Sequence, residues 1–241
     1  MRWLYISPHL DDAILSCGGL IWEQSRAGAR VEVWTVVCGV PQPGALSDLA
    51  RLLHAQWGTV SAEETVALRR QEDRQACRRV AGEAVHFDVP DCIYRRSPQG
   101  ELLYQDVFTP LHPAEVGLPD EIAAALAGRL KPDDALVSPL AIGGHVDHVM
   151  ARQAAERLGR PLRYYADIPY LLQHPEALQE ARRGMKAEIH PISAEGLRAW
   201  QDGVAAYASQ IAMLFGSLET MRKALRGYWQ GRHGVRLWRL A

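Results

Sequence analysis

Two short, mostly apolar runs open the chain, Trp3-Leu4-Tyr5-Ile6 and Val31-Glu32-Val33-Trp34-Thr35-Val36-Val37. Runs of this length, rich in β-branched and aromatic residues, predict buried strands over 3–7 and 31–38. Between them, 13–27 carries apolar positions at helical spacing, and Gly28 is placed to stop that helix. Strand, helix and strand in this order form a βαβ unit, which makes the two strands parallel.

The alternation continues. Residues 84–89, 135–140 and 162–166 read as strands, and 61–81, 121–130 and 149–158 as helices. Ser61 and Glu64 have capping-box spacing, and Gly82 follows the end of that helix. The stretch 39–60, rich in Gly, Pro, Ser and Trp, reads as a long loop over the end of the second strand. Near the C-terminus, 187–192 reads as a late strand, 194–214 as one long helix and 235–240 as a strand closing the sheet at an edge. The expectation is α/β, a three-layer Rossmann-like fold with a mostly parallel sheet and right-handed crossovers. No repeat or linker divides 1–241, so a single domain is expected.

Composition narrows the partners. An apolar share of 48% suffices for a large core, and 27 basic against 28 acidic residues leave no electrostatic footprint for nucleic acid or an anionic membrane. Cys17, Cys38, Cys77 and Cys92 form no CxxC pair, which predicts reduced thiols rather than a structural zinc module. No run approaches a transmembrane segment or a signal-peptide core, and the expected location is cytoplasmic. A homo-oligomer is left open.

The candidate chemistry sits in two clusters, each directly after an expected strand: Ser7-Pro8-His9-Leu10-Asp11-Asp12 and Gly143-Gly144-His145-Val146-Asp147-His148. Open α/β sheets bind ligands at this end of their strands. Two imidazoles and one carboxylate with coordination positions to spare are the ligand set of a catalytic zinc site, and we take His9, Asp12 and His148 as that set. A chain turning from strand into helix points His9 and Asp12 at one ion, with Asp11 alongside as general base. His145 then polarises a carbonyl or protonates a leaving group. Helix capping by Asp11, Asp12 or Asp147 is the plain competitor, outweighed by the recurrence of the pattern after two strands. No GxGxxG or GxxxxGK follows the first strand, so a nucleotide cofactor has no support. Asp91 and Arg95 follow the third strand and are candidate substrate contacts. Arg69 and Glu72, three apart on a charged helix, read by themselves as an ion pair. Trp57 is a candidate platform for a hexose ring, and Tyr207, Ser209 and Gln210 read as structural.

PHxDD after the first strand and HxDH after a later one resemble the LmbE-like or PIG-L family of zinc-dependent N-deacetylases. Weaker matches run through Arg69-Arg70-Gln71-Glu72, 91–95, 165–170 and Tyr207-Ala208-Ser209-Gln210. The resemblance implies removal of an acetyl group from an N-acetylated amino sugar of N-acetylglucosamine type, free or conjugated. The cofactor it implies is Zn2+, with Fe2+ or another divalent ion as substitute. It also implies His9, Asp12 and His148 as ligands, Asp11 as base, His145 on the oxyanion side, Asp147 orienting His145, and Arg69 reaching the substrate or acetate. The chain departs from the common family wording AHPDDE at Pro8, Leu10 and Ala13, and none of these removes a ligand or the base. The same ligand count describes non-haem Fe(II) oxygenases, which sit in β-rich barrels, and a sugar-binding module without turnover is a third reading.

Overall fold

Even and odd positions of β1 (Arg2–Ser7) are apolar alike, so the strand is buried on both faces: Trp3 and Tyr5 join one core, Leu4 and Ile6 another. The computed structural model describes residues 1–231 and 233–241. β2 (Arg30–Gly39), β3 (Glu83–Pro90), β4 (Ala135–Pro139) and β5 (Leu162–Tyr165) form a parallel block with β1. With β6 (Met185–Pro191) and β7 (Gly234–Leu240) they make a seven-stranded sheet in the order β3-β2-β1-β4-β5-β7-β6. The mostly parallel α/β architecture expected from the alternation is the one the chain adopts.

Helices cover both faces. α1 (Asp12–Arg26), α3 (Ala62–Arg79), α8 (Ala194–Val204) and α10 (Leu218–Gln230) pack on the core of Trp3 and Tyr5; α4 (Leu118–Ala127) and α5 (Val146–Arg157) pack on that of Leu4 and Ile6. α1 and α8 approach closely because a Cβ on Gly18 would stand 2.6 Å from Trp200 Cδ1, a contact only glycine avoids. Trp200 Nε1 then donates to the Ile14 carbonyl at 2.8 Å. The short α6 (Tyr170–Gln173) and α7 (Ala177–Ala181) lie between β5 and β6.

Three sequence expectations change. The loop expected over 39–60 contains α2 (Asp48–Trp57), capped by Ser47 Oγ accepting from Ala50 N at 3.0 Å and closed by Gly58 at φ 72°. Its Ala50, His54 and Trp57 are buried. The long helix expected over 194–214 is two, α8 and α9 (Ala208–Phe215), broken where Tyr207 leaves helical geometry and donates to Asp73 at 2.7 Å. Finally, 235–240 is not an edge: β7 pairs antiparallel with both β5 and β6. Its Val235, Leu237 and Trp238 are buried, whereas the more polar β6 takes the rim.

β1 lies between β2 and β4, so the connections leaving β1 and β4 run to opposite sides and open a crevice at their carboxyl ends. A third apolar cluster, including Trp57, Ile93, Tyr94 and Val146, builds up that end of the sheet. Among the described residues no helix is long and apolar enough to cross a membrane.

Candidate metal centre and its cavity

Ser7 turns the chain out of β1. Its Oγ accepts from Ala13 N at 3.0 Å and donates to the His9 carbonyl at 2.7 Å. This satisfies the start of α1 without help from the acids that follow. Asp11 occupies the N-cap position but makes no side-chain cap bond, and Asp12 Oδ2 accepts from His9 N at 2.8 Å. In the opposite loop the cap of α5 is His145, whose Nδ1 accepts from Asp147 N at 3.1 Å. Gly143 makes that loop possible: its φ is 89°, and a Cβ there would lie 2.9 Å from Tyr170 Cδ1. The capping alternative is thus answered in both loops by residues other than the carboxylates.

The two loops meet at Asp12. Its Oδ2 lies 3.4 Å from His9 Nδ1 and 3.3 Å from His148 Nε2. Two donors at the usual zinc distances on a tetrahedral ion stand about 3.3–3.4 Å apart, so this spacing fits zinc. Each imidazole is held from behind by a carboxylate: His9 Nε2 lies 3.0 Å from Asp147 Oδ2, and His148 Nδ1 lies 2.8 Å from Asp167 Oδ1. Such partners fix the ring orientation of metal-binding histidines. Donor atoms of His9, His145 and His148 also lie within 4.8 Å of one another. Cys92 stands equally close to His145 and Asp147, and burial pushes its thiol up.

Charge is distributed unevenly across this cluster. Burial works against the charged forms of His9 and His148, yet Asp12, with Asp147 beside His9 and Asp167 beside His148, raises both. Burial likewise opposes ionisation of Asp12, and His148 and His9 outweigh it to hold the carboxyl well below its usual range. Burial, reinforced by His9 and His148, drives His145 well below the ordinary imidazole value and keeps it neutral. Burial pushes Asp11 up to about 6, against the pull of Arg69, whose Nη2 is 3.4 Å from Asp11 Oδ2.

His9, Asp11, Asp12, His145 and His148 line a cavity of about 200 Å³ together with Trp57, Arg69, Asp91, Tyr170 and Gln210. Arg69 does not pair with Glu72: it stacks on Trp57, 5.0 Å from the ring centroid, and Glu72 accepts from Ser209 N at 2.8 Å and Ser209 Oγ at 2.6 Å. Arg69 Nε and Trp57 Nε1 are buried donors without an acceptor in the described protein. One oxygen of Asp91 accepts from Ile93 N at 3.2 Å, and the other lies 3.7 Å from His9 Nε2.

Two expected placements do not hold. Arg95 is buried between Asp147 at 2.7 Å and Glu115 at 2.8 Å and does not line the cavity, because the 3-10 turn Cys92–Tyr94 directs it inward. Asp147 hydrogen-bonds His145 through its backbone N–H, and its carboxylate stands within 4.8 Å of the ring without bonding to it. Its carboxylate serves His9, Arg95 and Cys92 N, since residues two apart at a helix start do not face each other. Asp167 falls within the weak match 165–170 but is given no role there, although it follows β5 at the same sheet edge. Gln210, Met213 and Leu214 come from α9, which no strand-end rule reaches.

Residues 4–158 match the family model described as PIG-L, GlcNAc-PI de-N-acetylase. The chain belongs to the PIG-L family. This PIG-L chain is 33% identical over 235 residues to 2'-N-acetylparomamine deacetylase of Niallia circulans, covering 89% of the chain and 82% of the relative. A protein of the same name from Streptomyces fradiae is 31% identical over 194 residues, covering 75% of the chain and 63% of the relative. Among solved structures, the zinc-inhibited form of teicoplanin deacetylase Orf2 superimposes with a TM-score of 0.87 at 30% identity, over 99% of this chain and 97% of that one. The A40926 pseudoaglycone deacetylase Dbv21 gives 0.78 at 27% identity, over 99% and 95%. The PIG-L chain is a metal-dependent N-deacetylase, and its donor set fits zinc. Its layered α/β sheet leaves the barrel-borne oxygenase reading without support.

Proposed function

We propose that this PIG-L enzyme removes the acetyl group from an N-acetylated amino-sugar conjugate of N-acetylglucosamine type. His9, Asp12 and His148 hold zinc, Asp11 is the general base, and His145 is the oxyanion-side donor. The observation that carries this reading is the convergence of His9 and His148 on Asp12, each ring braced by its own carboxylate, with Asp11 alongside. 2'-N-acetylparomamine, which names the two curated relatives, is an N-acetylated amino-sugar conjugate and supports the substrate class.

An amide resists neutral water, so the site must supply a nucleophile and stabilise negative charge on the carbonyl oxygen. When bound, zinc supplies a Lewis acid and lowers the pKa of water in the site. Asp11 accepts a proton from the attacking water as the new C–O bond forms. His145 has its Nδ1 occupied by Asp147 N–H, so its neutral tautomer carries the hydrogen on Nε2, where it donates to the carbonyl oxygen as charge develops. A neutral ring has no second proton to give, and delivery to the departing nitrogen falls to Asp11. As the C–N bond breaks, acetate and a free amine leave. Arg69 and Asp91 are substrate contacts in this reading, and the unpartnered Arg69 Nε supports the first. Asp147 orients His9, and Arg95 positions Asp147.

The reading takes 1–241 as one domain, supported by a single sheet that runs from β1 to β7. It places the enzyme in the cytoplasm, supported by four free, buried thiols. The test is acetate release by zinc-replete enzyme across N-acetylglucosamine conjugates, beside Asp11→Asn. Release by the wild type and its loss in the variant are expected; no release from any conjugate overturns the reading.

A further inference from the structure

The floor and the mouth of the cavity differ in chemistry. Its acidic and basic side chains are the proposed zinc ligands, Asp11, His145, Arg69 and Asp91, and none is exposed. The rim is mostly apolar: Leu53 from α2, Val107 from the segment before α4, Met213 and Leu214 from α9, and the ring of Tyr170 from α6, which adds one phenol hydroxyl. Phe108 extends it, its ring 6.0 Å from those of both His145 and Tyr170. Phe108 is 55% and Met213 41% exposed, so large apolar surface faces water beside the reacting site. Water-facing apolar surface concentrated at a site marks a surface that binds apolar matter. No exposed carboxylate lines the cavity among the described residues, and a cationic ligand would need one there.

We propose that this mouth binds an apolar aglycone, an alkyl or aryl group on the anomeric carbon of the amino sugar. This inference rests on the N-deacetylase reading above. The acetyl methyl is one bond from the attacked carbon and stays at the floor. The anomeric carbon neighbours the carbon that bears the acetamide, so its substituent starts inside the cavity and continues outward past Leu53, Met213 and Phe108. Four separate segments supply the rim, which makes it a built wall and not one stray side chain. A polycationic remainder, such as an aminocyclitol, meets no exposed carboxylate there among the described residues.

The experiment measures acetate release by zinc-replete enzyme from the methyl, butyl, octyl and phenyl β-glycosides of N-acetylglucosamine. A second series holds the methyl glycoside and lengthens the N-acyl chain, and 2'-N-acetylparomamine is the cationic comparison. Full burial of a methylene corresponds to about fourfold in affinity; on a half-exposed rim kcat/KM should rise about twofold per methylene along the glycoside series, through KM. Met213→Ser and Phe108→Ser should each flatten that rise, judged within each variant by its octyl-to-methyl ratio. A flat glycoside series, a rise along the N-acyl series instead, or preference for 2'-N-acetylparomamine over the phenyl glycoside overturns the proposal. Calorimetric binding of the same glycosides separates the two readings. Binding that tightens with aglycone length without any acetate release sinks the deacetylase reading and leaves the apolar mouth standing.

Discussion

The carboxylate of Asp147 reaches His9 from behind, Oδ2 lying 3.0 Å from Nε2, while the other ring nitrogen faces Asp12 at 3.4 Å. Arg95 and the backbone N–H of Cys92 hold that carboxylate in place. The ring orientation of one proposed ligand is thus set by residues outside the cavity. Removing a partner of this kind typically costs 10–100-fold in metal affinity, roughly. Asp147→Asn should weaken zinc binding by about that factor, and Asp167→Asn should do the same through His148. Competition with a chromophoric chelator reads both, and unchanged affinity in either variant removes that carboxylate from the assignment.

Asp11 should separate chemistry from metal binding. Asp11→Asn keeps the size of the side chain but cannot accept a proton, and loss of a general base costs about 10²–10⁴-fold in kcat. Zinc content by atomic absorption should stay at the wild-type level. Near-normal turnover would reassign the base.

The pH dependence has a definite sign. Burial raises the Asp11 pKa to about 6 in the zinc-free protein, against the pull of Arg69, so its ionised form is lost as pH falls through that value. A bound cation adds positive charge beside it and lowers the pKa. Carboxyl carbon shifts should show Asp11 titrating near 6 without zinc and lower with it, and the acid limb of kcat/KM should follow the lower value. An acid limb above neutrality belongs to another group.

At the opposite end of the sheet, Arg2 bridges Asp134 at 2.6 Å and Glu32 at 3.0 Å, and Lys131 N donates to Asp134 at 2.7 Å. Burial opposes ionisation of Asp134, but Arg2 and that N–H outweigh it and lower its pKa. A depressed carboxyl contributes stability above its unfolded pKa of about 3.9 and loses it as pH falls through the folded value. Asp134→Asn should cost about 1–3 kcal/mol near neutral pH. Urea melts should show the difference shrinking below about pH 4.

Gly18→Ala places a methyl 2.6 Å from Trp200 Cδ1, where α8 must yield. Overpacking of this kind costs about 1–3 kcal/mol. Thermal melts should show the loss, and Trp200→Leu should relieve part of it.

The strands and the donors were legible for the same reason. A strand buried on both faces needs a continuous apolar run, as in β1 and β2, and a parallel sheet puts its chemistry just after such runs. That logic reached His9, Asp11, Asp12, His145 and His148. It failed where direction depends on tertiary contact. Arg95 follows a strand but is turned inward by a 3-10 turn, and Asp147 shares a motif with His145 but serves His9. α2 was hidden by the Gly and Pro that flank it. The cavity wall from α9 carried only the weak match Tyr207-Ala208-Ser209-Gln210, because Glu72, far away in sequence, fixes its start by accepting from Ser209.

The place of β7 between β5 and β6 imposes an order on synthesis. Among the described residues β6 pairs with β7 alone, and three helices separate the two strands in sequence. At ribosomal speed that gap of roughly forty residues lasts about 2–8 s. β1 to β5, with His9, Asp12, His148 and both bracing carboxylates, are complete before it opens. Every residue proposed to hold or brace the metal is therefore synthesised before the far side of the sheet, and before the α9 segment that walls the cavity.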